Sequence, residues 1–184
     1  VFSVNTFLPS YERIVNYAII PRDFDHDHDE LTPKNTYKRK KILKHFSDVI
    51  DPMYEKNYIS LIHGDYEVKI PNWLLREKSL TRGDIRWDGK QIREYELTVG
   101  LSLKWTKKSL RIGHYHYHTN ETTVSLEKLL RDPTMWIGNQ ALVDFIGDVG
   151  FRIVAFEPYR GFTVDHASLP FQSNAHSITD APPY

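Results

Sequence analysis

Residues 94–105 alternate without a break: Tyr95, Leu97, Val99, Leu101, Leu103 and Trp105 interleave with Glu94, Glu96, Thr98, Gly100, Ser102 and Lys104. Successive side chains of a pleated chain point to opposite faces, so a period of two held for this length predicts a strand with one face buried. Lys107-Lys108 then turns the chain into a second strand over residues 110–118. The expected register sets Trp105 against Leu110, Leu103 against Ile112, Leu101 against His114 and Val99 against His116. In that register the histidines share the apolar face, while Tyr115 and Tyr117 point to the other side, above Thr98 and Gly100.

Weaker signals of the same kind surround this pair. Residues 66–70 alternate until Pro71, Asp88-Gly89 is a turn signal between apolar segments, and residues 151–156 (FRIVAF) read as a last strand ended by Pro158. Residues 124–130 predict a short helix with Thr122 or Thr123 as its cap, and residues 140–146 another, stopped at Gly147. Residues 165–184, closing on Pro182-Pro183-Tyr184, have the composition of a tail.

The first 58 residues have a different character. Residues 2–14 are loosely helical up to Pro9, and residues 15–20 (VNYAII) predict a strand stopped by Pro21. Residues 23–30 form an acidic run with His26 and His28, which is loop composition. Ile42, Leu43, Phe46, Val49, Ile50 and Met53 then fall on one helical face, with Pro52 placed to bend or end the helix. Lys38, Arg39, Lys40, Lys41 and Lys44 surround the start of that helix, against the preference of a helix N-terminus for negative charge. This opposition points to an anionic partner, or to a solvated face.

The chain is therefore read as α+β. A small α/β subdomain of strand, loop and amphipathic helix occupies residues 1–58, a mainly antiparallel β-rich domain with short helices occupies 59–164, and a tail follows over 165–184. Twenty-four Lys and Arg balance 24 Asp and Glu, so overall charge supplies no attraction for nucleic acid or an anionic membrane. Trp73, Trp87, Trp105 and Trp136 are spaced as packing anchors rather than as a base-stacking platform, and nucleic acid is not expected as a partner. No apolar run has the length of a membrane span, and the lack of cysteine excludes disulfides and a thiol nucleophile. Cytoplasm is the expected compartment. The start at Val1 suits a piece of a longer protein.

Tyr11-Glu12-Arg13-Ile14, Tyr17-Ala18-Ile19-Ile20-Pro21, Glu30-Leu31-Thr32-Pro33 and Lys38-Arg39-Lys40 occur in this order ahead of the amphipathic helix. Together they resemble the closing stretch of long-chain acyl-CoA synthetases of the AMP-forming, adenylate-forming superfamily. The resemblance covers roughly the first 58 residues. It implies a ligase whose intact parent activates a fatty acid or other carboxylate with ATP and Mg²⁺ and passes the acyl group to coenzyme A. It also implies a partner, the N-terminal adenylation domain of the parent, which carries the nucleotide and acyl sites. In the family a lysine of this segment assists adenylation, because a cation beside the α-phosphate offsets repulsion from the incoming carboxylate.

In this alignment Thr36 stands where that lysine is expected. Lys34 and Lys38 are the nearby replacements, and Arg39 is the basic residue that follows. A relocated lysine, specialisation for another step and a degenerate binding module stand side by side as readings. The chain by itself is not expected to catalyse the reaction.

In the β-rich part, Gly113-His114-Tyr115-His116-Tyr117-His118 is the most distinctive feature. Alternate residues of a strand lie about 6.6 Å apart, so His114 with His116, or His116 with His118, could share a metal ion with His63, Asp65 or Glu67. The plain alternative is a set of sheet histidines packed among apolar neighbours. Residues 25–29 can also take up a cation adventitiously. A metal- or ligand-binding β-domain and a structural interaction module are thus the alternatives to the ligase reading.

Overall fold

Asp88 shows how local chemistry builds the larger sheet. Its Oδ1 accepts from the backbone N–H of Lys90 at 2.9 Å and of Gln91 at 2.8 Å, which closes the turn between β3 (Ile85–Trp87) and β4 (Gln91–Glu94). In the computed structural model, which describes residues 1–94, 100–147 and 157–165, this hairpin opens a six-stranded sheet. Its order is β3-β4-β5-β6-β7-β9, every pairing antiparallel, with β5 Leu101–Thr106, β6 Ser109–Ile112, β7 Tyr115–His118 and β9 Thr163–Val164. A second sheet pairs β1 (Tyr58–His63) antiparallel with β2 (Tyr66–Pro71), and β2 parallel with β8 (Thr123–Ser125).

The Lys107-Lys108 turn forms as expected, with Trp105 against Leu110 and Leu103 against Ile112. Two other expectations fail in this sheet. Residues 95–99 of the expected strand lie outside the described residues, but Ile92 pairs antiparallel with Leu101, so Glu94 and residues 101–105 belong to neighbouring strands and not to one. Gly100 permits the close approach, since a Cβ there would lie 2.8 Å from the Ile92 carbonyl oxygen. Glu94, expected on the wet face, is buried.

The second failure lies at Gly113, whose φ of 56° reverses the chain directly after β6. Ile112 consequently faces Tyr115 and Leu110 faces Tyr117. The tyrosines go inward with those apolar partners, and the histidines take the outer face. This inverts the expected arrangement.

The helix expected at 124–130 is α5 (Leu126–Arg131), shifted because residues 123–125 pair as β8 and Ser125, not Thr122 or Thr123, supplies the cap. Helix α6 (Gln140–Ile146) forms as expected and stops at Gly147. The expected strand at 151–156 lies outside the described residues, as does nearly all of the expected tail. Helix α4 (Asn72–Glu77) packs on β2, and α5 and α6 cover the sheets. Leu74, Leu75, Leu101, Leu103, Leu110, Leu126, Leu129, Leu130 and Leu142 are essentially solvent-free. Each contributes on the order of 2 kcal/mol by leaving water. Trp136 is buried, and Trp73, Trp87 and Trp105 pack against this core as anchors.

Residues 1–58 are built on other terms. The chain forms α1 (Phe2–Asn5), α2 (Arg39–His45) and α3 (Ser47–Glu55), and the predicted amphipathic helix is interrupted at Phe46. Pro52 sits inside α3 without ending it. Residues 15–20 form no strand: no strand among the described residues pairs with them, and Ile19 is left 84 % exposed. Val15 is the sole residue of this segment in the described core. Neither α2 nor α3 has a buried residue. No helix of the described residues is long and apolar enough to cross a membrane.

Candidate functional site

The residues singled out in the first segment gather on a small hairpin and the helix after it. Leu31 and Tyr37 form an antiparallel bridge, and Asn35 N–H donates to the Thr32 carbonyl at 2.8 Å to close the turn Thr32-Pro33-Lys34-Asn35. Pro33 is suited to the second place of such a turn, and Asn35 tolerates its positive φ of 58°. Lys34 is thereby presented at the tip, exposed and without a hydrogen bond or ion pair among the described residues. Thr36 is turned back: its N–H donates to Thr32 Oγ1 at 3.2 Å, and the two hydroxyls lie 2.7 Å apart. Lys38 is committed elsewhere, to an ion pair with Asp29 that Lys41 joins at 2.9 Å. These two ammonium groups, Lys38 first, hold Asp29 down at about 2. Arg39 opens α2, exposed and without an acidic partner among the described residues.

Glu30, named in the sequence only as part of the acidic run and the Glu30-Leu31-Thr32-Pro33 motif, anchors this hairpin. Arg22 donates to both of its oxygens at 2.7 Å, Asp25 N–H donates at 3.3 Å, and His45 Nδ1 lies 3.2 Å away. Lys38 N–H donates to the Glu30 carbonyl at 2.7 Å, so the same residue holds the start of α2. The Arg22 bonds are the main cause of a Glu30 acidity near 2. Phe46 lies under the Arg22 guanidinium at 5.4 Å and packs edge-on to Phe24, which also meets Tyr37. One arginine directly before an acidic run is the sequence signal for such a hub.

Asp25, His28 and Glu30 bring three donor atoms within 4.8 Å of one another. Their charge is already answered by Arg22 on Glu30 and by the His28 backbone N–H and ring at 2.7–2.9 Å from Asp25. The bond from the His28 N–H leads the causes that hold the Asp25 carboxyl below its ordinary range.

The histidines of the β-rich part are not gathered in this way. His114 is exposed in the turn, His116 is half-buried opposite Arg111, and His118 is exposed opposite Ser109. Of the residues expected to complete a metal set, His63 packs on Trp87 at 5.6 Å and over Gly89, and Asp65 is exposed in the turn between β1 and β2. Glu67 accepts from Ser60 at 2.6 Å and Thr123 at 3.3 Å. Tyr115 and Tyr117 instead donate from their buried hydroxyls to the carbonyls of Ile137 and Met135, both at 2.6 Å. Burial pushes both phenols above their ordinary range.

Residues 1–58 match the family model described as the AMP-binding enzyme C-terminal domain. The match ends at Tyr58, the first residue of β1. No curated protein and no solved structure matches the chain.

Proposed function

We propose that residues 1–58 are the closing segment of an AMP-forming ligase for long-chain carboxylates, and that residues 59–164 are a body appended to it. The observation that carries this reading is where the matched segment leaves its apolar surface. Phe7, Tyr11, Tyr17, Ile19, Tyr37, Leu43, Val49 and Tyr54 are all exposed, whereas among the described residues of 59–164 only Ile62 and Ile137 are large exposed apolar side chains. Apolar surface left this open marks a contact face, and in this family the C-terminal domain pairs with an N-terminal one.

In the reaction, a carboxylate oxygen attacks the α-phosphorus of ATP and pyrophosphate leaves, after which a thiol displaces AMP. ATP brings its own Mg²⁺ on the phosphates, and coenzyme A supplies the thiol; both belong with the N-terminal partner. The acids of this segment suit that division, since Asp25, Asp29 and Glu30 are already paired with cations or donors. The contribution expected of this chain is positive charge at the hairpin tip. Lys34 is free to supply it, Lys38 is held back by Asp29, and Thr36 has no charge to offer.

The test is ATP–pyrophosphate exchange with a panel of fatty acids on the full-length parent, beside Lys34→Ala, Lys38→Ala and Thr36→Lys. Lys34→Ala is expected to lower exchange by about a hundredfold, the usual loss for one preorganised transition-state charge. Absence of exchange from the parent and from Thr36→Lys alike would overturn the reading.

A further inference from the structure

The two parts of the chain meet along a seam fixed by hydrogen bonds at both ends. Arg13 Nη1 donates to the Arg76 and Glu77 carbonyls at 2.8 and 2.9 Å, and Arg82 N–H donates to the Val15 carbonyl at 2.9 Å. At the other end Asn72 donates from its backbone N–H to the Asn57 carbonyl at 2.8 Å, and from Nδ2 to the Lys56 carbonyl at 3.2 Å. Two adjoining clefts of about 350 and 200 Å³ lie along this seam and share Asn16, Met53, Lys56 and Asn72.

Charge in these clefts is one-sided. Arg76 lines the larger and Arg82 the smaller, with Lys56 common to both, and all three are exposed. None has an acidic partner among the described residues. Glu55 is the sole acid among the described residues of either lining. This differs from the cleft beside α5, where Glu127 and Glu157 neutralise Arg131. Unanswered cations around a concave surface raise the local potential and concentrate anions there, and guanidinium groups suit phosphate oxygens through paired N–H donors.

We propose that the seam binds a small, multiply charged phosphate compound of the pyrophosphate or nucleotide class, its phosphates held by Lys56, Arg76 and Arg82. The fixed walls mean that little order has to be imposed on binding. Tyr54, exposed in the larger cleft, offers a ring face beside the phosphates. Because both parts of the chain form its walls, such a ligand stabilises their junction. This site goes beyond the ligase reading and does not depend on it.

Calorimetric titration of the full 184-residue chain with inorganic pyrophosphate, and separately with ATP, tests it. Saturable binding is expected, weakened by salt as exposed charge pairs are. The Arg76→Gln/Arg82→Gln variant removes two side chains that make no intramolecular ion pair among the described residues. It is expected to keep its melting temperature while affinity falls at least about tenfold, ~1.4 kcal/mol. Lys107→Ala/Lys108→Ala, on the β5–β6 turn, which lines neither cleft, is expected to bind as the parent chain does. No binding of either probe, or equal loss in both variants, overturns the proposal. Sedimentation with anionic phospholipid vesicles that depends on Arg76 and Arg82, without pyrophosphate binding, overturns it in favour of a lipid surface.

Discussion

Arg22 and Glu30 are joined by two bonds of 2.7 Å, and the Glu30 side chain has no exposed surface. The pair stands where the acidic loop, the lysine hairpin and α2 come together, in a segment with almost no apolar core. Paired charge here takes over a task that buried leucines perform in the β-rich body.

A pH dependence follows, with a definite sign. The Glu30 carboxyl falls from an ordinary 4.5 to about 2, so its stabilisation is complete above 4.5 and is lost as pH falls through about 2. Asp29 acts in the same direction, from 3.8 to about 2. The amide resonances of Asp25 and Lys38, which bond to Glu30, are expected to titrate with a midpoint near 2 in an NMR series. A midpoint near 4.5 contradicts the pairing, and Glu30→Gln is expected to loosen this hairpin already at neutral pH.

Arg13 binds the carbonyls of Asn5 and Leu8 through Nε, and those of Arg76 and Glu77 through Nη1. Asn5, buried beside it, bonds to Ile14 and Ser79. Arg13→Ala is expected to cost about 2 kcal/mol, the range for hydrogen bonds to a charged donor plus carbonyls left unsatisfied. Hydrogen exchange should quicken at residues 5–15 and 76–82 together. Faster exchange at residues 5–15 alone would show that Arg13 does not join the two parts.

The inverted faces of β7 give a direct comparison. Tyr117→Phe leaves the buried Met135 carbonyl without its donor and is expected to cost about 1–3 kcal/mol in urea unfolding. His118→Ala, on the exposed face, is expected to stay within about 0.5 kcal/mol. The opposite ranking would restore the continuous-strand reading.

Gly113→Ala probes the reversal itself. A Cβ at φ 56° is strained by about 1–2 kcal/mol, and it would also lie 2.6 Å from Ala141 Cβ and Asn139 Oδ1. A loss of at least that strain is expected in thermal or urea unfolding, with a neutral result excluding the turn.

Glu94 has the opposite pH sign to Glu30. Burial is the main cause that raises its carboxyl, outweighing Lys78, which lies 3.0 Å away and also donates to the Phe145 carbonyl at 2.6 Å. Stability tied to Glu94 is therefore present below 4.5 and is lost as pH rises through its raised value. Urea unfolding at pH 4.5 and 7.5 should show Glu94→Gln less penalised at the higher pH than the parent chain; an equal change in both proteins removes Glu94 as the cause.

Much of the architecture could be read from neighbours along the chain. The Lys107-Lys108 register, the Asp88 turn and the stop of α6 at Gly147 rest on interactions within a few residues, which composition and periodicity report directly, whereas the helical face expected from Ile42 to Met53 is split at Phe46. The Thr32-Pro33-Lys34-Asn35 turn that lifts Lys34 to a tip is equally local, although no turn was expected there. The resemblance of residues 1–58 came from the same linear order, and the family match has the same limits.

Tertiary structure decided which side of each element is buried and which charges are spent. A period of two is symmetric until the position of the reversal is known, so Gly113 and the pairing of Ile92 with Leu101 changed the faces without changing the pattern. Residues 15–20 carry strand-forming side chains, but a strand needs a neighbour, and none among the described residues pairs there. Whether Lys38 or Lys34 is free depends on Asp29 folding back over nine residues, and the burial of Glu30 depends on Arg22 and His45 arriving from either side. Such choices rest on contacts between distant residues, and the energy of an ion pair depends on the solvent those contacts exclude.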